Sequence, residues 1–178
     1  AHEDGKADYS SEVGTLASAG GDAVAVIGYL DQGGKGIIQG SLDSGAFDTF
    51  ILSDGMIGDS LTDAFGKSLN KSFGSLPGST GKGAGVFAKV AGAAGIDPSG
   101  PYTGESYDAA ALIVLAMQAG GSADRGSIAK NVMAVANGPG KKIYPGQLKK
   151  ALDLLAKGKA VDYEGATGVV FTDVGEHV

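Results

Sequence analysis

The chain has 178 residues, 32 of them glycine, with no cysteine, no tryptophan and a formal charge of -6. Without cysteine there is no disulfide framework, zinc ribbon or thiol catalyst, and no apolar run reaches the length of a membrane-spanning helix. An acidic chain with no basic stripe also lacks the clustered Lys and Arg that phosphate contacts need, so nucleic acid is not an expected partner.

In chain order, Ser10 or Ser11 can cap a helix carrying Val13, Leu16 and Ala17, stopped by Gly20-Gly21. Asp22 to Tyr29 reads as a short, nearly continuous apolar strand, expected to be buried on both faces of a parallel sheet. Gly33 to Leu42 places Ile37, Ile38 and Leu42 on one side of a helix that ends at Ser44-Gly45. Thr49 to Ser53 is a second buried strand. The helix–strand–helix–strand order is that of a doubly wound α/β unit, with the two strands as parallel neighbours.

A helix is expected around Ser60 to Phe65, followed by a polar, glycine-rich loop or linker from Gly66 to Gly83. Beyond it the chain reads as mostly helical. Val86, Phe87, Val90, Ala91 and Ala94 share one helical face, with Gly95 at the C-cap. Tyr107 to Gln118 marks a longer helix closed by Gly120-Gly121. Ser122 or Asp124 can cap a third, and Pro145 can open a fourth with Leu148, Leu152 and Leu155. Gly168 to Phe171 reads as a last extended piece, followed by a turn over Asp173 to Glu176. No strand is expected between Gly83 and Ala160. The broad apolar faces of these helices therefore call for a sheet that the sequence itself does not supply.

The sequence carries little that matches a catalytic motif. Gly78-Ser79-Thr80-Gly81-Lys82 lacks the leading glycine and the trailing Ser or Thr of a phosphate loop. There is no G-x-S-x-G elbow. His2 and His177 lie at the extreme ends, where neither is a credible general base or metal ligand. No metal and no cofactor is expected, and an enzyme is disfavoured.

What remains is positional. In open α/β sheets ligands sit beyond the carboxyl ends of the strands. The first strand ends at Gly28-Tyr29 and the second at Ser53-Asp54-Gly55, so parallel pairing brings Tyr29 and Asp54 to one edge. A carboxylate beside a phenol ring suits a small molecule with an ammonium group. On the same residues, Asp54 can instead cap the following turn and Tyr29 can be partly buried packing. Pattern alone weighs the two evenly.

Several ordered blocks resemble one known family. They are Asp8-Tyr9-Ser10-Ser11-Glu12-Val13, Gly21 to Tyr29, Ser53-Asp54-Gly55, Asp97 to Tyr102 with Ser106 to Ala110, and Asp162 to Glu176. Together they look like the latter half of a type I periplasmic solute-binding protein, in the leucine/isoleucine/valine-binding group of ABC importers. The resemblance implies a two-lobed α/β fold with a doubly wound, mostly parallel sheet. Residues 1–80 would form most of the second lobe, and residues 81–178 part of the first lobe, mainly helices. Members of that group are much longer, so the chain is expected to be a piece of such a protein. The opening and final segments of the whole would then be absent, and the missing half would be a partner.

The same resemblance implies an extracytoplasmic, non-enzymatic subunit. It would close two hinged lobes over a branched-chain or similar amino acid and deliver it to an ABC permease in the membrane. Asp54 matches the acid that receives the α-ammonium, although the family acid can be Glu, one carbon longer. Tyr29 matches the tyrosine after the glycine-ended strand, and Tyr102 the aromatic wall near the re-entry segment. Glu105 is a neighbour of that wall and also reads as an exposed residue in a helix first turn. Tyr107, Met56 and Phe50 read as packing. A ligand-sensing receptor or regulator of the same fold is one alternative. A binder of a non-amine metabolite, such as an aromatic acid or an amide, is another. An α/β enzyme using Asp54 with Asp31 is a third, with no nucleophile or cofactor cradle to support it.

Overall fold

A computed structural model describes residues 2–79, 81–172 and 175. The chain divides into two compact units, Ala1–Pro77 and Gly78–Val178.

In the first unit, Asp8 Oδ1 accepts from the backbone N–H of Ser10 at 2.7 Å and from its hydroxyl at 2.5 Å, which starts α1, Ser10–Ala19. β1, Val24–Val26, follows, and then α2, Gly34–Ser44, which turns Ile37 and Ile38 into the core. Gly45 closes α2 in the left-handed region at φ 67°, a conformation only glycine adopts without strain. β2, Phe50–Leu52, pairs parallel with β1, Val24 beside Phe50 and Val26 beside Leu52. A short helix, α3, Asp59–Phe65, leads to β3, Phe73–Gly74, which pairs parallel with β2. The sheet order is β1-β2-β3.

β3 lies inside the stretch expected to be only loop. Its two residues carry a single apolar side chain, too little for a strand pattern to register. The burial of the strands also departs from expectation. Val24, Val26, Phe50 and Leu52 face a core with Ile37, Ile38, Phe47, Met56 and Leu61. The alternate residues Ala25, Ile51 and Phe73 stand side by side in register on the other face. That face is open: Ile51 is 45% exposed and Phe73 63%. The helical residues of this core pack on one face only, so the strands alternate instead of being buried on both sides.

The consequence for stability is testable. Phe50→Ala removes a ring with no solvent exposure and is expected to cost about 3–5 kcal/mol. Ile51→Ala, one residue along and on the open face, is expected to cost less than about 1 kcal/mol. Denaturant titration of the two variants measures the contrast, and equal losses would contradict the one-sided core.

In the second unit, α4 spans Gly81–Ala93 and α5 spans Thr103–Gly120. α6, Arg125–Ala136, is capped by Asp124, whose Oδ2 accepts from the N–H of Gly126 at 2.9 Å and of Ser127 at 3.2 Å. β4, Lys141–Ile143, and β5, Val161–Tyr163, pair parallel across α7, Leu148–Leu155. Leu112, Leu115, Val135, Ile143, Ala151, Val161 and Tyr163 form the core around that pair.

β4 corrects the expectation that no strand lies between Gly83 and Ala160. Its first two residues are exposed lysines, and only Ile143 is buried, so it carries no apolar run. The extended piece expected over Gly168–Phe171 is no regular strand. Residues 165–168 turn, and the Asn137 side chain pairs with Phe171 in the manner of a strand neighbour. The Asn137 amide donates to Phe171 O at 2.7 Å, and its carbonyl accepts from Phe171 N–H at 2.9 Å. Of the turn expected at Asp173 to Glu176, all but Gly175 lies outside the described residues, as do Thr80 and His177. α5 is apolar on two sides. Ala111, Leu112, Leu115 and Ala116 are buried, while Ala109, Ala110, Ile113 and Val114 are exposed.

Candidate functional site

The first unit builds its site at the carboxyl ends of β1 and β2. The ladder's last rung joins Ser53 N–H to Val26 O at 3.2 Å. One residue further, the N–H of Gly28 donates to the Ser53 hydroxyl at 3.2 Å, and that hydroxyl faces Gly28 O at 3.4 Å. Tyr29 and Asp54 follow immediately on the two strands. Tyr29 is extended (φ -123°, ψ 147°), and its carbonyl accepts from Gln32 N–H at 3.2 Å and Gly34 N–H at 3.1 Å.

Tyr29 is 62% exposed, and its ring rests against Gly55. A Cβ at position 55 would lie 2.8 Å from Tyr29 Cδ1 and 2.5 Å from Gly28 O. Asp54 is exposed, and its Oδ1 accepts from the Gly55 N–H at 2.9 Å. The structure therefore sets Tyr29 and Asp54 just beyond the ends of adjacent strands, with Gly55 against the Tyr29 ring and its N–H on the Asp54 carboxylate. The bond from Gly55 is to the adjacent N–H and is not a helix cap, since the short helical turn over Asp54–Met56 has Ser53 at its N-cap with no side-chain bond, and Tyr29 is exposed and not buried.

Met56 and Phe50 are fully buried, as packing residues are. Asp31, the second carboxylate of the enzyme alternative, sits 2.6 Å from Lys35 Nζ in an i,i+4 ion pair. His2, which sequence position alone set aside, reaches the same edge of the sheet. Its Nε2 lies 3.6 Å from where a Gly28 Cβ would be, and its ring meets Tyr9 edge-on at 5.6 Å. A groove of about 510 Å³ runs along β1, lined by Val24 to Ile27, His2 and the Thr15 and Leu16 side of α1. Tyr29 and Asp54 are not among its lining residues.

The second unit carries the other two sequence-predicted residues. Tyr102 precedes α5 at φ 59°, the one non-glycine residue with positive φ among those described, and it is 38% exposed. A left-handed tyrosine carries backbone strain of the kind that binding sites hold. The loop before it is fastened by Asp97, whose Oδ1 accepts from Ser99 N–H at 2.9 Å and Ser99 Oγ–H at 2.7 Å. The Ser99 hydroxyl holds the Asp97 carboxyl below the usual carboxylate range. Glu105 is half-buried in the first turn of α5, three residues after Tyr102. Tyr107 is structural. Its ring packs on Phe87 at 5.3 Å, and its hydroxyl accepts from Gly146 N–H at 2.8 Å.

Sequence reasoning missed the polar centre of this unit. Asp108, 2% exposed on α5, accepts from the Tyr163 hydroxyl and Ala166 N–H on Oδ1, and from Thr167 N–H and Oγ–H on Oδ2, each at 2.8 Å. Gly165, at φ 60°, passes so close that a Cβ there would lie 2.5 Å from Asp108 Oδ2. Burial first, and the neighbouring carboxylate second, push the Tyr163 phenol well above its ordinary value. Its folded pKa is raised above the unfolded one. The stabilisation it gives is therefore complete below about pH 10 and falls as pH rises further. The alkaline limb of unit 2 stability should flatten in Tyr163→Phe, as read by denaturant midpoints between neutral and high pH. An unchanged limb would contradict this assignment.

Among the described residues, no group of three or more His, Cys, Asp or Glu is placed to hold a metal, and no helix is long and apolar enough to cross a membrane.

The fold is the α/β, parallel-stranded fold of type I periplasmic binding proteins, present in part. The particular likeness is to the leucine-binding protein LivK of Thermotoga maritima, whose crystal structure matches with a TM-score of 0.66 at 19% identity, over 98% of this chain and 44% of LivK. In sequence, 73 residues, 41% of this chain, are 40% identical to the chemotactic signal transduction system substrate-binding protein BasB of Halobacterium salinarum, covering 18% of BasB. The chain thus spans less than half the length of these relatives. No family model matches it.

Proposed function

We propose that the chain is part of an extracytoplasmic solute-binding protein that takes a small α-amino acid, branched-chain or similar, at the β1 and β2 strand ends. The observation that supports this reading is the tie between the two strand ends, Gly28 N–H to the Ser53 hydroxyl, one residue before Tyr29 on one strand and one before Asp54 on the other. Asp54 receives the α-ammonium and Tyr29 covers the ligand with its exposed ring. On the second unit, taken by itself, Tyr102 and Glu105 are proposed as ligand-binding residues on the ground of the family resemblance alone. The function is binding and not catalysis. A fold shared with a protein named as leucine-binding, and sequence shared with one named as substrate-binding, support it.

The chain corresponds, in the same proposal, to the latter half of such a protein. The open row of Ala25, Ile51 and Phe73 and the exposed side of α5 are the surfaces that the remaining half covers. Equilibrium titration of the complete protein that contains this chain with L-leucine, L-isoleucine and L-valine tests the ligand class; the 178-residue chain alone is expected to bind weakly or not at all. Saturable binding of at least one by the complete protein is expected, and none by any α-amino acid would overturn the reading.

A second reading is favoured by the BasB likeness: a sensing rather than a transporting role, with a membrane signalling receptor in place of an ABC permease as partner. Photo-crosslinking in the native membrane separates the two by the mass of the captured protein.

A further inference from the structure

We propose that Ser53 and Gly55 are the positioning residues of the strand-end site, setting the distance and angle between the Tyr29 ring and the Asp54 carboxylate. The inference rests on the reading of those two groups as ligand contacts, and names the parts of the chain that make them one receptor.

β1 and β2 stop pairing at Val26 and Leu52, with the Ser53 N–H to Val26 O bond as the last backbone rung. Sheet twist separates strand ends beyond that point unless something ties them. The Ser53 hydroxyl supplies the tie, taking the Gly28 N–H at 3.2 Å and facing Gly28 O at 3.4 Å. Gly28 directly precedes Tyr29 and Ser53 directly precedes Asp54, so one hydroxyl fastens the two backbone positions that carry the ligand groups. Without it the half-buried Gly28 N–H loses its partner.

Gly55 does the rest. The ring of Tyr29 occupies the space a side chain at 55 would fill, with Cδ1 at 2.8 Å and Cε1 at 3.0 Å from the Cβ position. Gly55 N–H meanwhile holds Asp54 Oδ1 at 2.9 Å. The same residue seats the ring and orients the carboxylate. Gly55 is not among the glycines with positive φ, so alanine there meets the ring and the Gly28 carbonyl and not a forbidden backbone conformation.

The test uses NMR on the complete protein that contains this chain, with L-leucine as probe. In the wild type, Tyr29 ring protons should show cross-relaxation to the Gly55 α-protons, and the Gly28 amide should be protected from exchange. Ser53→Ala should weaken both and lower L-leucine affinity roughly tenfold, the size of one lost hydrogen bond. Ser53→Thr, which keeps the hydroxyl, should restore all three. Gly55→Ala should displace the ring, disturb the Gly28 backbone that its Cβ also meets, and lower affinity. Ring contacts, amide protection and affinity all unchanged in Ser53→Ala would overturn the proposal. A wild-type protein that binds no L-leucine, with ring contacts still dependent on Ser53, would instead overturn the ligand reading and leave the positioning intact.

Discussion

Asp108→Ala is expected to lower the stability of the second unit by about 3–5 kcal/mol, because it leaves four donors facing an empty site in the core. A domain holds only about 5–15 kcal/mol in total, so this one change consumes a large part of it. Asp108→Asn is the sharper variant. It keeps the shape, but the amide turns an N–H₂ toward groups that are themselves donors, so about half of the bonds cannot be remade. Denaturant unfolding of both variants checks this. Asparagine should recover only part of the alanine loss, and full recovery would mean that the site needs shape and not acceptors. The loss should be confined to the second unit, since every partner of Asp108 lies between Tyr163 and Thr167.

That network also shows where reading from sequence reaches its limit. Asp108 stands in a helix whose neighbours are mostly alanine and apolar residues, and its partners lie 55 to 59 positions away. Nothing local marks it as buried. The helices themselves were legible, because their ends carry local chemistry: Asp124 caps α6, and Gly45 and Gly121 close α2 and α5 in the left-handed region. β3 and β4 were not, since Phe73-Gly74 and Lys141-Lys142-Ile143 lack the periodicity that announces a strand. The continuous apolar run around Val24 to Ile27 indicated burial on both faces, whereas Ala25 and Ile27 are exposed, Ile27 by 80%. The apolar residues of that run on the open face stay exposed among the described residues. At the strand ends, Tyr29 and Asp54 could be placed from topology alone. Ser53 and Gly55 could not, because their roles depend on distances of a few ångströms.

The second large effect concerns binding. Asp54→Asn keeps the size of the side chain and its hydrogen bond from Gly55 but removes the charge. Where the carboxylate–ammonium pair is shielded from water, affinity for an α-amino acid should fall by about 2–5 kcal/mol, at least 30-fold. Where the pair stays solvated the loss shrinks to about 1 kcal/mol or less. The size of the loss therefore reports how dry the bound site is. Tyr29→Ala should weaken binding without removing the preference for an amine, since the ring contributes cover and a π face but no formal charge. Competition titration of the two variants distinguishes these roles, and an Asp54→Asn protein with wild-type affinity would remove the acid from the site.

The central claim is that a negative side chain beside a phenol at the strand ends selects a protonated amine. The most direct measurement is an NMR titration of the complete protein that contains this chain with L-leucine and, separately, with isocaproate, which keeps the carbon skeleton and carboxylate but lacks the amine. The account predicts saturable shifts at the Asp54 carboxyl carbon and the Tyr29 ring with L-leucine, none with isocaproate at the same concentrations, and loss of the response in Asp54→Asn. Equal responses to both compounds, or shifts that leave Asp54 and Tyr29 untouched, would contradict it.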